Sequence, residues 1–252
     1  MKNITYLLFS ALLTFSCQNF SDQNRPVSTT PLDTIQQADI QLLATPEIYE
    51  TAFAPGTTLQ SNTKIPVGFT GITIGQIKIS SGQIIVCDPL HIDEYGIPFT
   101  YQFPVGDFPV QLAVMSAGDE QSVAFARIKF SDQPVVKWEQ ALREKQAEVA
   151  FGGEDNPELY CVDGGVAIFL DKDAAKVIDM EMARNMDGPL FDEMYKNHRI
   201  GWRFAMYPFD KYNLAAFTTG LGDGCFKSYI GFDAAGKPCR LITDFGLLGN
   251  HK

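Results

Sequence analysis

The sequence predicts an α+β fold: mainly antiparallel β-sheet, about ten short strands, with about three helices on one side. Three observations carry that expectation. Apolar residues recur with period two through much of 72–130 and again through 202–245. Helical spacing replaces that period around Trp138, Val177 and Phe191. Clusters of Gly, Pro and Asp separate the runs at short intervals, which is turn chemistry.

The first strands lie beyond a transitional stretch from Pro46 to Pro66, where Phe53-Ala-Pro-Gly56 marks a turn at the domain edge. Ile77 and Ile79 alternate with Gln76, Lys78 and Ser80, and Ser81-Gly82 predicts a tight hairpin into Ile84-Ile-Val-Cys87. Phe99, Tyr101 and Phe103 alternate, and Val110, Leu112 and Val114 continue the pattern after Pro104-Val-Gly-Asp107. From Ser122 to Phe130, Ala124, Ala126, Ile128 and Phe130 are expected on one face, with Val123, Phe125, Arg127 and Lys129 on the other. Ser131-Asp-Gln-Pro134 reads as a helix start, so a helix over 134–148 should carry Val135, Trp138, Ala141 and Leu142 and pack Trp138 against the sheet.

Leu159–Val162 and Val166–Leu170 read as a hairpin about Asp163-Gly-Gly165. Asp171 or Asp173 then caps a helix with Ala174, Val177 and Ile178. Asp187-Gly-Pro opens a third helix with Leu190, Phe191, Met194 and Tyr195, and Trp202–Tyr207 is a strand. Ala215 to Phe245 closes the chain as a three-strand meander. Its first connection is Gly220-Leu-Gly-Asp-Gly224, and its second is the hairpin turn Asp233-Ala-Ala-Gly236. Pairing Asp233 with Lys237 places Gly231 opposite Cys239 and Cys225 opposite Phe245. Cys225 and Cys239 then lie ~20 Å apart along the strands, too far for a disulfide.

The chain has 252 residues, 45% hydrophobic and 20% charged, which suits one well-buried core. A formal charge of −10, with no basic cluster, disfavours nucleic acid as a partner. Residues 1–16 read as a secretory signal: Lys2, a short apolar run, then Ser16 before Cys17. The Ser-Cys junction resembles a lipobox, although Thr14 stands where leucine is usual. Cys17 is therefore the expected lipidation site, and membrane anchoring through it the expected address, facing periplasm or cell surface, with plain secretion as the alternative. Residues 17–45, polar and Pro-containing, form a tether, and 46–252 a single globular domain. The four remaining cysteines, Cys87, Cys161, Cys225 and Cys239, permit two disulfides, but a core of this size needs no staples and they read as buried small hydrophobes.

A set of motifs carries a family resemblance. Gly-x-Gly-Asp-Gly at 220–224 is followed by Gly-x-Asp-x-x-Gly at 231–236 and Thr-Asp-Phe at 243–245. Ile74 to Leu90, Gly106-Asp-Phe-Pro-Val110, Ala126-Arg-Ile-Lys-Phe130 and Trp138 accompany them. Together they resemble the bacterial family catalogued as domain of unknown function 4241, over most of residues 46–245. The resemblance implies kinship and no activity, cofactor or catalytic residue.

The candidate ligand-binding residues are Asp88, Asp163, Asp223 and Asp244, each at a strand end or in a Gly-flanked turn, with Gly222 and Gly224. Converging, such carboxylates bind a hard cation or act as an acid/base pair in hydrolysis. Standing apart, they close turns. Gly231–Pro238 falls one residue short of a phosphate-binding loop, with Pro238 where the metal-binding hydroxyl belongs, so nucleotide binding is rejected. Cys87-x-x-x-His91 lacks the paired spacing of structural zinc, and Cys225 has no histidine placed as its base. No metal or cofactor is therefore assigned. Trp138, Trp202, Tyr207, Tyr212 and Tyr229 read as core more than as a groove. The favoured reading is an exported, lipid-anchored accessory or binding module for an unknown protein or small molecule; the alternative is an envelope hydrolase using the turn aspartates.

Overall fold

A computed structural model describes residues 47–59, 66–144 and 158–248. Cys17, the signal segment and the tether lie outside the described residues. The α+β class is as the sequence predicts: two antiparallel sheets with a few short helices. Among the described residues no helix is long and apolar enough to cross a membrane.

The larger sheet takes β1 (Thr58–Leu59), β2 (Val67–Ile79), β4 (Gly106–Ala117), β5 (Glu120–Lys129), β12 (Pro238–Asp244), β11 (Gly224–Phe232) and β6 (Lys137–Gln140) in the spatial order β1-β2-β4-β5-β12-β11-β6. A further strand, β7 (Leu159–Val162), pairs with β11 on the same edge as β6. The smaller sheet runs β3 (Ile84–Cys87), β8 (Val166–Asp171), β10 (Tyr212–Thr218), β9 (Phe204–Phe209).

The main core fills the space between the sheets, with Ile77, Ile79, Val110, Leu112, Phe169, Phe217, Ile230 and Leu241 among its members. A second cluster lies on the other face of the small sheet. There Ile92 of α2 (Ile92–Tyr95), Ala183 of α4 (Met180–Arg184) and Leu190, Phe191 and Met194 of α5 (Pro189–Lys196) pack on Ile168, Leu170, Leu214 and Ala216. Both faces of β8 are covered, so Val166-Ala-Ile-Phe-Leu170 reads as an unbroken apolar run. A third cluster lies on the far face of the large sheet. Ile48, Tyr49 and Ala52, from and just after α1 (Ile48–Thr51), meet Phe69, Phe125, Ile242 and Leu247 there.

Several local expectations fail, and each failure has a physical cause. No helix forms over the described part of 134–148: Trp138 lies in β6, opposite Gly231, where Val136 and Ala141 bond to the open edge of β11. Exposed Lys137 and Glu139 alternating with half-buried Trp138 and Gln140 are the period-two signal that the helical spacing obscured. Three expected tight connections are instead crossings between sheets. Ser80–Gln83 carries the chain from β2 to β3, 163–165 from β7 to β8, and 219–223 from β10 to β11. The first two are therefore not hairpins, and the meander is a hairpin preceded by a crossing. Phe99–Phe103 makes only an isolated bridge, from Phe99 to Arg143.

On β5 the faces exchange at a bulge. Ala113 pairs with Phe125 and Val114 with Val123, which drops Ala124 onto the far face with Phe125 and leaves Val123, Ala126 and Ile128 inside. The Asp233 hairpin forms as expected: the Asp233 carboxylate accepts from the Ala235 and Lys237 amides, and Gly236 takes φ +72°. A bulge between Gly231 and Phe232 shifts the register by one, so Gly231 faces Arg240 rather than Cys239. Asp171 is the cap of α3 (Lys172–Ala175), accepting from the Asp173 amide at 2.9 Å.

The cysteine expectation is half right. Cys87 and Cys239 are free and buried, whereas Cys161 and Cys225 form a disulfide. The cause is the pairing of β7 with β11, which sets Cys161 directly opposite Cys225. Assigning β7 to a hairpin with β8 hid that neighbour.

Candidate functional site

The turn from Thr219 to Asp223 is built to cross between sheets. Its hydrogen bonds run from the Gly222 amide to the Thr219 carbonyl at 2.7 Å and from the Thr219 hydroxyl to the Gly222 carbonyl at 2.7 Å. The Gly220 amide reaches the Val123 carbonyl of β5, and the Thr219 amide the Gly165 carbonyl. Gly222 has φ +123°, a conformation that side chains rarely adopt, and a Cβ at Gly165 would lie 3.3 Å from its Cα. Close backbone approach between the two glycine turns accounts for Gly165, and its backbone conformation accounts for Gly222.

Beside this turn, on the outer face of the large sheet, is a cavity of about 410 Å³. Leu159, Leu221 and Leu247 are its aliphatic lining, with Asp223, Lys227, Tyr229 and Asp244 as polar groups, Gly222, Gly224 and Cys225 beside them, and Phe226 and Phe245, whose rings join the inter-sheet core, at its margin. Four of the six candidate residues meet here: Asp223, Asp244, Gly222 and Gly224. Asp88 and Asp163 do not.

Asp88 is 1% exposed and holds the chain together from within. Its carboxylate accepts from the Leu90 amide at 2.8 Å, capping the turn Pro89–His91, and from the Asp163 and Gly164 amides at 2.7 and 3.0 Å. Asp163 itself is exposed. For Asp88 the turn-closing role is the one the geometry supports.

Asp244 is 8% exposed, and its two oxygens are held by the Tyr49 hydroxyl at 2.9 Å and the Gly246 amide at 2.8 Å. Burial raises its pKa above the ordinary carboxylate range, against the pull of those two hydrogen bonds. Burial together with Asp244 likewise pushes the Tyr49 hydroxyl up. Lys227 stands directly across from Asp244 on β11 and pairs with Glu158 at 3.5 Å. Tyr229 stacks on Tyr49 with ring centroids 5.2 Å apart.

Tyr49 and Lys227 were missed by sequence reasoning. Lys227 sits within an expected strand, in no motif that singles it out. Tyr49 carries no usable signal, because only the tertiary pinning of α1 brings it here. That pinning is a buried ionic cluster. Glu50 accepts from Arg240 at 2.9 and 3.2 Å and from Arg127 at 3.0 Å, while Arg127 lies 3.7 Å from the centre of the Phe53 ring. Burial lowers the Arg127 pKa to about 10, with Glu50 opposing. The other aromatics are structural: Trp202 is buried with its indole N–H on Gln121, Tyr207 and Tyr212 flank the small-sheet core, and Trp138 packs edge-on to Tyr49. Among the described residues no group of three or more His, Cys, Asp or Glu gathers in metal-binding array.

A family model described as a protein of unknown function (DUF4241) matches residues 77–243. The match takes in the Gly220–Gly224 turn, Lys227 and Tyr229, and leaves Tyr49, Asp244 and Leu247 outside. No curated protein and no solved structure matches the chain.

Proposed function

The chain belongs to the DUF4241 family of proteins of unknown function, and from that premise we propose an exported, lipid-anchored binding module that takes a small ligand in the cavity beside Gly220–Gly224. The observation that carries this is the cavity itself. It brings apolar side chains and a few polar groups together beside the Gly220–Gly224 turn, the kinds of group that bind and orient a small molecule. Both oxygens of Asp244 are already committed, so it supports a shaping role; Asp223 is the group left to orient a ligand, beside a Lys227 that shares its charge with Glu158. The expected test is a ligand-observed NMR screen of a fragment library against the full chain. Hits should weaken at least several-fold in Leu221→Ala, which trims a wall residue 77% exposed and carries little folding cost. Hits that are indifferent to Leu221→Ala and Asp223→Asn sink the assignment.

The anchor belongs to the same proposal, supported by the Ser16-Cys17 junction and the polar segment after it. Cys17→Ala should move the protein from the membrane to the soluble fraction or leave it as precursor. Unchanged fractionation removes the lipid.

One observation favours a hydrolase as the second reading: Asp244, whose pKa burial raises, shares the cavity with solvent-facing Asp223, two carboxyl groups in unlike surroundings in one site. Turnover of 4-nitrophenyl glycosides that disappears in Asp244→Asn would support it. An inert wild-type chain across the panel would leave only the binding module.

A further inference from the structure

We propose that the Cys161–Cys225 bridge is a thiol-exchange site, at which a small aminothiol enters the cavity and forms a mixed disulfide with Cys225. The inference rests on reading the cavity as the ligand site.

Both half-cystines are exposed, yet only Cys225 lines the cavity, so a ligand seated there meets one sulfur and not the other. Among the described residues the remaining thiols, Cys87 and Cys239, are buried. An exposed bridge is the kind open to exchange, since attack needs access to sulfur. Residues two apart along a strand share a face, which puts Lys227 beside Cys225 on β11. Its ammonium, in an open 3.5 Å pair with Glu158, favours an incoming thiolate over a thiol. Asp223 lies the same two residues before Cys225, on the turn, and among the described residues it has no ion-pair partner. An aminothiol complements that order: its sulfur toward Cys225 and Lys227, its ammonium toward Asp223.

The step balances without an external oxidant. The thiolate sulfur forms a bond to the Cys225 sulfur as the Cys161–Cys225 bond breaks, and the bonding electron pair leaves on the Cys161 sulfur, which takes a proton from water. One disulfide is exchanged for another. Attack by Cys161 on the mixed disulfide reverses the step and releases the aminothiol. While the adduct persists, β7 loses its covalent hold on β11, and β7 carries the cavity residue Leu159.

The test treats the full chain with cysteamine, quenches with iodoacetamide and maps the products by mass spectrometry. One cysteamine on Cys225 with Cys161 alkylated is the expected result. The rate should saturate with cysteamine concentration and exceed that of anionic 2-mercaptoethanesulfonate by about tenfold, an advantage that Asp223→Asn should abolish. An intact bridge, or first reaction at Cys161, overturns the exchange site and leaves the fragment-binding test of the cavity standing. Reaction at Cys225 that stays proportional to concentration, equal for both thiols and unchanged in Asp223→Asn overturns the cavity-bound step and counts against the cavity as a ligand site.

Discussion

Asp171 is fully buried and accepts five hydrogen bonds: from the amide and hydroxyl of Ser80, the amide and hydroxyl of Ser81, and the amide of Asp173. It therefore fixes the first sheet crossing and caps α3 at once. Burial alone would raise its pKa, but the bonds from Ser81, Ser80 and Asp173 outweigh that and lower it. Asp171→Ala should cost about 3 kcal/mol in a urea melt at neutral pH, since it strips a charged acceptor from several buried donors. A folded pKa below the unfolded value means that the stabilisation is complete above the ordinary carboxylate range and is lost as pH falls through the folded value. The gap between wild type and variant should accordingly hold steady from pH 7 to about pH 4 and close only below that. A gap that closes by pH 6 would assign the effect to another group. Asp244 has the opposite sign: its raised pKa makes the fold hold a proton that the unfolded chain releases, so its contribution declines as pH rises above about 4.

At the scale of elements, β6 shows why pairing defeats local pattern. Gly231 faces Trp138 across the ladder, and a Cβ there would lie 3.0 Å from the indole ring and from Val135. Gly231→Ala should cost about 1–3 kcal/mol by overpacking. Adding Trp138→Ala should make the double variant less destabilised than the two single losses combined, because the larger side chain that the methyl strikes is gone. Strict additivity in denaturant melts would place Trp138 away from Gly231. The Asp233 hairpin, α3 and α5 were legible because their signals are local: a turn residue, a cap, a proline at a first turn. The helix misread over 134–148 and the three crossings were not, because what decides them is the strand waiting on the other side. The candidate site divides the same way. Glycine density pointed to 220–224, but Asp244 gains its partner only when Tyr49 arrives from 195 residues away.

For the whole molecule, the bridge between Cys161 and Cys225 spans 64 residues and closes a loop through α3, α4, α5 and three of the four strands of the small sheet, β8, β9 and β10. Chain-entropy arguments give such a loop about 4 kcal/mol. Cys161→Ser should lower the unfolding free energy by that order, and excess reductant should lower wild type equally; a loss below about 1 kcal/mol would mean that β7 is held by packing alone. The order of strands has a different consequence, for the time course of folding. β5 ends at Lys129, yet its free edge is covered only by β12, which starts at Pro238. A chain made from its N-terminus therefore holds a strand paired only on its β4 side through the synthesis of more than a hundred residues, and pairing so distant in sequence is slow to form. Until the last strand docks, the edge of β5 is a template for any other chain's β-strand, so release of an incomplete polypeptide is the event most apt to end in aggregation.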